Sequence, residues 1–284
     1  MEIWQSLART GIEELPELAL RAEALGFTGV AVSDHLVRPV EIRSPYPYSP
    51  DGKPVSTTET PYADPWGLIA YLAALTTRLR FMPSVFVLPA RDPFSVAKSL
   101  ATACVLSRNR VMMGIGVGWM AEEFAMTGQS FFNRGKRTDE MVEVIKKLMT
   151  GEPVEHHGAF YDFPMVTMTP APSVMPSFLV GGDSPAALAR AARMDGWIGV
   201  AYEQDRVASI LAELVAARRK AGTLGRTFQA ITAILGKVGL EDCAAIERIG
   251  ITGLMLPPLL GATTAEKMQE LERRATMYRL SPLI

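Results

Sequence analysis

One histidine, His35, is a candidate for proton transfer because of its position after a predicted strand. His35 comes just after a predicted strand near residues 28–33, and the 284 residues contain only three histidines. A histidine side chain gains or loses a proton near neutral pH, because its ordinary pKa is about 6.5. The neighbouring Asp34 is the carboxylate that we expect to orient it. The alternative is that His35 only caps local backbone.

A predicted strand near residues 110–115 runs into a series of alternating glycines. Gly114, Gly116 and Gly118 remove the side chains from one face of the chain, and Trp119 follows directly. Glycine in a strand often marks a place where a ligand or another backbone approaches closely. We therefore expect a flat ring system to lie against this face, with Trp119 as an aromatic wall.

A second glycine pair precedes the predicted start of a helix. Gly181 and Gly182 come just before Ser184, and the helix begins at Pro185. Backbone N–H groups at a helix start attract anions, so this segment is suited to a phosphate. The alternative is that Ser184 is only the N-cap of the helix.

A proline interrupts the predicted strand near residues 79–87. Because Pro83 lacks a backbone N–H, it removes one hydrogen bond of the sheet and favours a bulge around Ser84 and Val85. Bulges of this kind are common beside the active sites of barrels. A kink without function is the alternative.

Strand-like and helix-like stretches alternate along the whole chain. We predict strands near residues 2–7, 28–33, 79–87, 110–115, 177–181, 196–200, 227–235 and 251–256. We predict helices near residues 12–25, 65–77, 93–106, 134–149, 185–194, 203–221, 241–249 and 264–276. Strict alternation implies a parallel sheet, and eight such units in a chain of this length favour a (β/α)8 TIM barrel. No Gly-x-Gly-x-x-Gly motif opens the first unit, which weighs against an open doubly wound sheet.

Two long connections and the lack of a linker complete this organisation. The proline-rich residues 34–63 leave the end of the second strand, so we expect a lid or wall on the substrate side of the barrel. Residues 150–176 precede the fifth strand and contain His156 and His157, which we interpret as surface-loop residues without a metal. No segment rich in Pro, Gly or Ser divides the chain, so residues 1–284 are predicted to form a single domain.

Composition excludes several classes of function. The chain has 29 basic and 30 acidic residues and a net charge of −1, so we expect no nucleic-acid partner. Neither a membrane span nor a signal peptide is predicted. Cys104 and Cys243 lie in predicted helices without metal-ligand spacing, which favours two buried thiols and a cytoplasmic location.

Together, the strand-end motifs resemble one family over nearly all of the chain. The chain is similar to luciferase-like flavin and deazaflavin oxidoreductases, and the resemblance is carried by residues 22–27, 34–35, 79–81, 87–93, 106–110, 114–119, 122–124, 134–140 and 181–182. The loop at residues 46–52 resembles a subgroup described as dependent on coenzyme F420.

The resemblance implies a role for each matching position. It implies a non-proline cis peptide between Ser84 and Val85 that supports the ring, and it places His35 near that ring. It also implies cofactor contacts for Gly116, Gly118, Trp119, Gly181, Gly182 and Ser184. Members that act on sugar phosphates have a glutamate proton donor where this chain has Trp119, so that substrate class is not expected.

These implications lead to one leading hypothesis and two alternatives. The first is hydride transfer between F420 and a small organic substrate, with His35 as the proton relay. The second is an FMN-dependent monooxygenase on the same fold. The third is a flavoprotein without turnover, which a pocket filled by Met112 and Met113 would favour. The family often forms dimers, so a homodimer is possible.

Overall fold

Strands and helices alternate along the chain in the computed structural model, which describes residues 1–281. The strands are β1 Glu2–Ser6, β2 Gly29–Val32, β3 Arg80–Pro83, β4 Phe86–Val87, β5 Met113–Gly116, β6 Val154–His157, β7 Asp162–Val166, β8 Phe178–Gly181, β9 Gly196–Tyr202, β10 Gln229–Ile234 and β11 Gly253–Leu256. The α-helices are α1 Leu15–Leu25, α2 Pro65–Leu75, α3 Pro93–Leu106, α4 Ala121–Met126, α5 Arg134–Leu148, α6 Pro185–Ala191, α7 Gln204–Ala221, α8 Leu240–Arg248 and α9 Thr264–Met277.

Nine strand segments form one parallel sheet that curves into a barrel. Their order is β3-β2-β1-β11-β10-β9-β8-β5-β4. The two outer segments, β3 and β4, are consecutive halves of the predicted third strand, so the order returns to its starting point. A parallel bridge between Phe81 and Val111 also joins β3 to the chain before β5. The predicted TIM-barrel fold is therefore confirmed, with the third strand divided in two.

Three helix starts use the same local device. Each is an N-cap residue, Asp64, Asp92 or Ser184, followed directly by a proline at the first helical position. The cap side chains accept hydrogen bonds from the N–H groups of Gly67, Ser95 and Ala187 at 2.8, 2.8 and 3.2 Å. Proline favours this position because its missing N–H would have no partner in the first turn. These caps fix where the chain turns from the loops at the strand ends into α2, α3 and α6.

Large side chains fill the interior of the barrel below the loops. Seven of the nine strand segments contribute to this cluster, and Met112 joins it from the residue before β5. The cluster contains Trp4, Ala31, Met82, Met112, Leu179, Ile198, Ile231 and Met255. Met113, the next residue along the chain, packs instead in the outer layer between strands and helices. Neither Met112 nor Met113 fills the cavity described below, which removes the feature that would have favoured a flavoprotein without turnover.

Residues 150–176 differ from the expected irregular loop. They contain an antiparallel hairpin of β6 and β7, in which Val154 pairs with Val166 and His157 with Asp162. The Glu140 carboxylate in α5 accepts hydrogen bonds from the backbone N–H groups of residues 159–161, at the tip of the hairpin. The sequence did not predict these strands because they are only four and five residues long, contain a proline in β7, and depend on a contact with a distant helix.

The two histidines of this hairpin have opposite environments. His156 is 5% exposed and contacts Lys147 at 3.1 Å, Glu140 at 3.3 Å and the ring of Phe163. The interpretation as a surface-loop residue is therefore wrong for His156, because its ring packs between α5 and β7. His157 is exposed, as expected.

The cysteines also differ from each other. Cys104 is buried in α3, and this burial raises the pKa of its thiol to about 12. Cys243 is only half-buried in α8, so the prediction of two buried thiols is right for Cys104 alone.

Within residues 1–281, no helix combines the length and the apolar composition that crossing a bilayer requires. The cytoplasmic location stays a prediction.

Candidate active site

A cavity of about 680 Å³ lies at the carboxyl ends of the parallel strands. This is the end at which TIM-barrel enzymes carry their active sites, and the volume is within the usual range for small-molecule pockets. All of the residues predicted to form the site line it: Asp34, His35, Ser84, Val85, Gly116, Gly118, Trp119, Gly181, Gly182 and Ser184. The barrel therefore brings together positions that are up to 150 residues apart in the sequence.

His35 is held by a carboxylate that sequence reasoning did not assign. Its Nδ1 lies 3.0 Å from Oε2 of Glu123, and Oε1 of Glu123 accepts the backbone N–H of Leu36 at 2.7 Å. Glu123 is 1% exposed and belongs to α4, just after β5. An ionised carboxylate only accepts hydrogen bonds, so in that state Nδ1 carries the proton and Nε2 is left for the cavity.

Asp34 points to another partner. Its carboxylate accepts hydrogen bonds from Arg91 at 2.7 and 2.9 Å and from the backbone N–H of Val87 at 2.8 Å. Burial raises the pKa of the Asp34 carboxyl, and the Arg91 guanidinium opposes that rise. The expectation that Asp34 orients His35 is corrected by this arrangement. Among the described residues, the Asp34 carboxylate makes hydrogen bonds to Arg91 and Val87 and none to His35.

The break in the third strand forms a floor of the cavity. The peptide bond between Ser84 and Val85 is cis, as predicted. The Val85 side chain lies between Gly116 and Gly181, where an added Cβ would overlap its methyl groups, at 2.8 Å in the case of Gly181. A Cβ on Gly114 would meet the Pro83 carbonyl in the same way. Gly114, Gly116 and Gly181 therefore make room for the third strand, and the Val85 side chain that lies between Gly116 and Gly181 forms part of the cavity surface.

The loop after β8 has a fixed backbone. Gly182 has a φ of +99°, a left-handed conformation that favours glycine, and its carbonyl accepts a hydrogen bond from Trp197 at 2.8 Å. Ser184 caps α6, as the simpler interpretation of the sequence required. Asp183, which also lines the cavity, pairs with Arg206 at 3.2 Å, so its charge is partly balanced.

Two further side chains near this loop were missed by sequence reasoning. Arg134 lines the cavity and donates from Nε and Nη1 to the carbonyls of Gly118 and Phe131, both at 3.0 Å, which leaves Nη2 for a ligand. Tyr48 reaches across the cavity, since a Cβ on Gly182 would lie 3.2 Å from its hydroxyl oxygen. Burial, the Asp183 charge and Tyr46 together raise the pKa of Tyr48 to about 12, so its hydroxyl keeps its proton near neutral pH.

Residues 34–63 form one wall of the cavity, as expected, and a glutamate holds them in place. Glu122 accepts hydrogen bonds from the N–H groups of Arg43 and Ser44 at 2.7 and 3.0 Å and from the Ser44 hydroxyl at 2.8 Å. Burial alone would raise the pKa of Glu122, but these hydrogen bonds, together with its own backbone N–H, lower it. Glu122 and Glu123, adjacent in α4, thus anchor the wall at two points.

Aromatic rings surround His35 on the wall side. The Tyr62 and Trp119 rings meet the imidazole edge-on at centroid distances of 5.0 and 6.1 Å. Tyr46 packs against Trp119 at 5.1 Å. The cavity therefore offers an aromatic compartment around the imidazole of His35.

One signal for the missed carboxylate was present in the sequence. Glu122 and Glu123 follow Trp119 on a short helical turn, close to the predicted end of the strand. Nothing in their spacing indicates that the second glutamate reaches His35, about 90 residues away, because this contact depends on the order of strands in the barrel. The same holds for Tyr48 and Arg134.

Comparison with known proteins gives a consistent family. A family model described as luciferase-like monooxygenase matches residues 2–270. An uncharacterized protein of Mycobacterium tuberculosis is 37% identical over 265 residues, which cover 92% of this chain and 91% of that protein. An F420-dependent glucose-6-phosphate dehydrogenase of Kribbella flavida is 30% identical over 198 residues, covering 68% of this chain and 54% of the enzyme.

Solved structures show the same fold. A monooxygenase from Streptomyces bottropensis superposes on this chain with a TM-score of 0.74 and covers 98% of each chain at 22% identity. At this level of identity the likeness extends to the barrel and not to the reaction.

Proposed function

The chain belongs to the luciferase-like monooxygenase family, and we propose that it is an oxidoreductase that transfers a hydride between coenzyme F420 and a small organic substrate. The observation that carries this proposal is the placement of His35. Glu123 holds the imidazole in an aromatic compartment, in the same cavity as the Val85 floor and the loop after β8. Relatives that depend on F420 support the choice of cofactor.

The residues present fit a deazaflavin. Its ring needs a flat floor, which Val85 supplies, and its phosphate needs N–H groups and cations. We propose that Ser84, Val85, Gly116, Gly118 and Trp119 hold the ring. For the phosphate we propose the loop residues Gly181, Gly182 and Ser184, with the Tyr48 hydroxyl and Arg134 as further donors. When bound, the cofactor supplies the two-electron redox chemistry, and the protein orients it and excludes water.

His35 is the residue we assign to proton transfer. With Nδ1 directed to Glu123, its Nε2 exchanges a proton with the substrate atom that gains or loses one. A proton donor at this position contributes general acid–base catalysis. Asp34 receives a different role from the one first expected. Its carboxylate, which Arg91 holds, accepts the N–H of Val87, so it positions the floor and takes no direct part in proton transfer.

The substrate class of the dehydrogenase relative does not carry over to this chain. Trp119 occupies the position at which the resemblance places the glutamate proton donor of members that act on sugar phosphates. Its ring instead closes the aromatic compartment around His35 and Tyr46. We therefore propose a substrate other than a sugar phosphate.

An FMN-dependent monooxygenase is the second candidate. The family is described by that activity, and the same floor and loop would hold the ring and phosphate of FMN. Direct titration of the purified protein with F420 and with FMN, each in both redox states, separates the two. We expect F420 to bind and FMN to bind weakly. Tight FMN binding with oxygen-dependent turnover and no F420 binding would support the second candidate instead.

A further inference from the structure

Arg9 is a charged residue of the cavity without a partner. It follows β1, lines the cavity and is exposed. Its guanidinium makes no hydrogen bond or ion pair to any other residue in the part of the chain that the structure describes. The remaining charged groups of the cavity wall are engaged, since Asp34 pairs with Arg91, Asp183 with Arg206, and Arg134 with two carbonyls.

The backbone at Arg9 is also unusual for its residue type. Its φ is +63°, in the left-handed region where glycine is favoured over residues with a Cβ. Among residues 1–281, three other non-glycine residues share this feature: Arg108, Asn109 and Arg279. Those three follow the ends of α3 and α9, where left-handed residues are common. Arg9 follows a strand and faces the cavity, so helix termination does not account for it.

The barrel topology places Arg9 after the strand next to that of His35 and across from the proposed phosphate loop. Ser6 in β1 pairs with Ala31 in β2, so Arg9 and His35 leave the sheet from adjacent strands at the same end. Around the barrel, β8 lies on the opposite side from β1. The cavity thus has the proposed phosphate loop on one side and, on the other, the Arg9 cation after the strand adjacent to that of the proposed proton-transfer residue.

From this arrangement we propose that the substrate is an apolar organic acid whose carboxylate pairs with Arg9. The rings of Tyr62 and Trp119 would contact its apolar body, which places its reactive carbon near His35. Arginine matches a carboxylate because its planar guanidinium donates two parallel hydrogen bonds. This inference rests on the proposed function. The carboxylates of the F420 side chain are a less suitable partner, because that side chain is attached through the phosphate and so begins at the β8 side.

The test measures binding rather than turnover. Naphthalene-2-carboxylate and its uncharged analogue 2-naphthamide are titrated by calorimetry into the full-length protein, both without cofactor and with saturating F420 or FMN. We expect the acid to bind at least about tenfold more tightly than the amide, with an affinity that falls as salt is added. Arg9→Gln should remove that preference, and Arg9→Lys should restore part of it.

Arg43→Gln is the matched control. Arg43 is exposed on the 34–63 wall and does not line the cavity, so its replacement removes the same charge without touching the site. Thermal unfolding of each variant shows whether it is folded. Equal binding of acid and amide to the wild type, or an unchanged preference in Arg9→Gln, overturns the inference. If Arg9→Gln lowers the affinity for F420 but keeps the preference for the acid, Arg9 binds the cofactor, and the inference is again overturned. Failure of the proposed function is a separate outcome, seen when neither F420 nor FMN binds the wild type.

Discussion

At the residue scale, the proposed function depends on His35 and on the Glu123 carboxylate that contacts it. A histidine near a cavity is common, but His35 has one ring nitrogen engaged by a glutamate that is 1% exposed. That contact restricts the imidazole to one orientation and directs Nε2 toward the cavity. The roles of the two residues can therefore be separated by substitution.

Replacing His35 tests proton transfer. We expect His35→Ala to lower turnover by about 100- to 10,000-fold, the usual contribution of general acid–base catalysis, while F420 affinity changes less. Steady-state kinetics and a binding titration measure the two effects separately. His157→Ala, on the exposed side of the β6–β7 hairpin, is the control and should behave as the wild type. Normal turnover in His35→Ala would remove its catalytic role.

Replacing Glu123 tests the orientation of His35. In Glu123→Gln, the amide oxygen is expected to keep the Leu36 N–H, so the amide NH₂ faces Nδ1. Since NH₂ only donates, Nδ1 must then accept, and the ring proton moves to Nε2. We expect turnover to fall roughly 10- to 100-fold, as for other residues that orient a functional histidine. Nitrogen NMR of the imidazole reports the tautomer, with His35→Ala for assignment. An unchanged tautomer would contradict this role.

At the scale of elements, the main feature is the wall formed by residues 34–63. Its irregular chain has few backbone partners of its own, and the acceptor groups come from α4. Glu122 binds two N–H groups and one hydroxyl of the wall, while Glu123 binds a third N–H. A short helix after β5 therefore fixes a wall that begins after β2.

Removing the Glu122 charge should loosen the wall. We expect Glu122→Gln to speed hydrogen exchange at the amides of Arg43 and Ser44 and to raise KM about tenfold, because hydrogen bonds to a charged group are lost. Glu59→Gln, an exposed position in the same wall, is the matched control. Equal exchange rates in wild type and Glu122→Gln would show that the wall is held by other contacts.

The hydrogen bonds between Glu122 and the wall should weaken as the pH falls. The wall hydrogen bonds lower the pKa of Glu122 below its ordinary value of about 4.5, so they favour the ionised form. A carboxyl group whose pKa is lower in the folded protein stabilises the folded arrangement at pH values above its ordinary pKa. This stabilisation is lost as the pH falls through the lowered pKa. We therefore expect the difference in hydrogen exchange between wild type and Glu122→Gln to disappear below the lowered pKa of Glu122, because the carboxyl group is then uncharged in the wild type as well.

At the scale of the whole molecule, the barrel has consequences for unfolding. Seven of the nine strand segments of the parallel sheet, together with Met112 just before β5, contribute to one inner cluster, so removing one part of the barrel would open the core of the rest. We propose that residues 1–284 form a single domain and expect one cooperative transition in denaturant. Circular dichroism and tryptophan fluorescence should report the same midpoint. Two separated transitions would contradict the single domain.

The surface of α2 suggests how copies of the chain associate. This helix has no charged residue, and Tyr71 and Leu75 are 55% and 38% exposed, while Leu106 of the neighbouring α3 is 60% exposed. Apolar surface of this kind marks association sites, and we propose that a second copy covers it. Light scattering should give twice the 30.9 kDa mass for wild type and for Leu20→Glu on α1, and the monomer mass for Leu75→Glu. A monomeric wild type would contradict this proposal.

The sequence by itself determined the order of elements and much of the site. Alternating periodicity, N-cap residues followed by proline and the size of the chain were enough for the barrel, because these signals are local or additive along the chain. In a parallel barrel all carboxyl strand ends meet on one face, so His35, Trp119 and Gly182 could be assigned to one cavity without knowing any distance. The same reasoning located the break at Ser84 and Val85.

Only the tertiary structure decided which side chains meet. Glu123 rather than Asp34 contacts His35, and Arg9 enters the same cavity from the strand adjacent to β2, because the strand order brings the ends of these segments to one cavity. The burial of His156 and the β6–β7 hairpin likewise depend on contacts with α5. Such contacts join residues that are distant in the chain, and their geometry depends on strand register and side-chain direction. A single sequence contains no periodic or local signal for either.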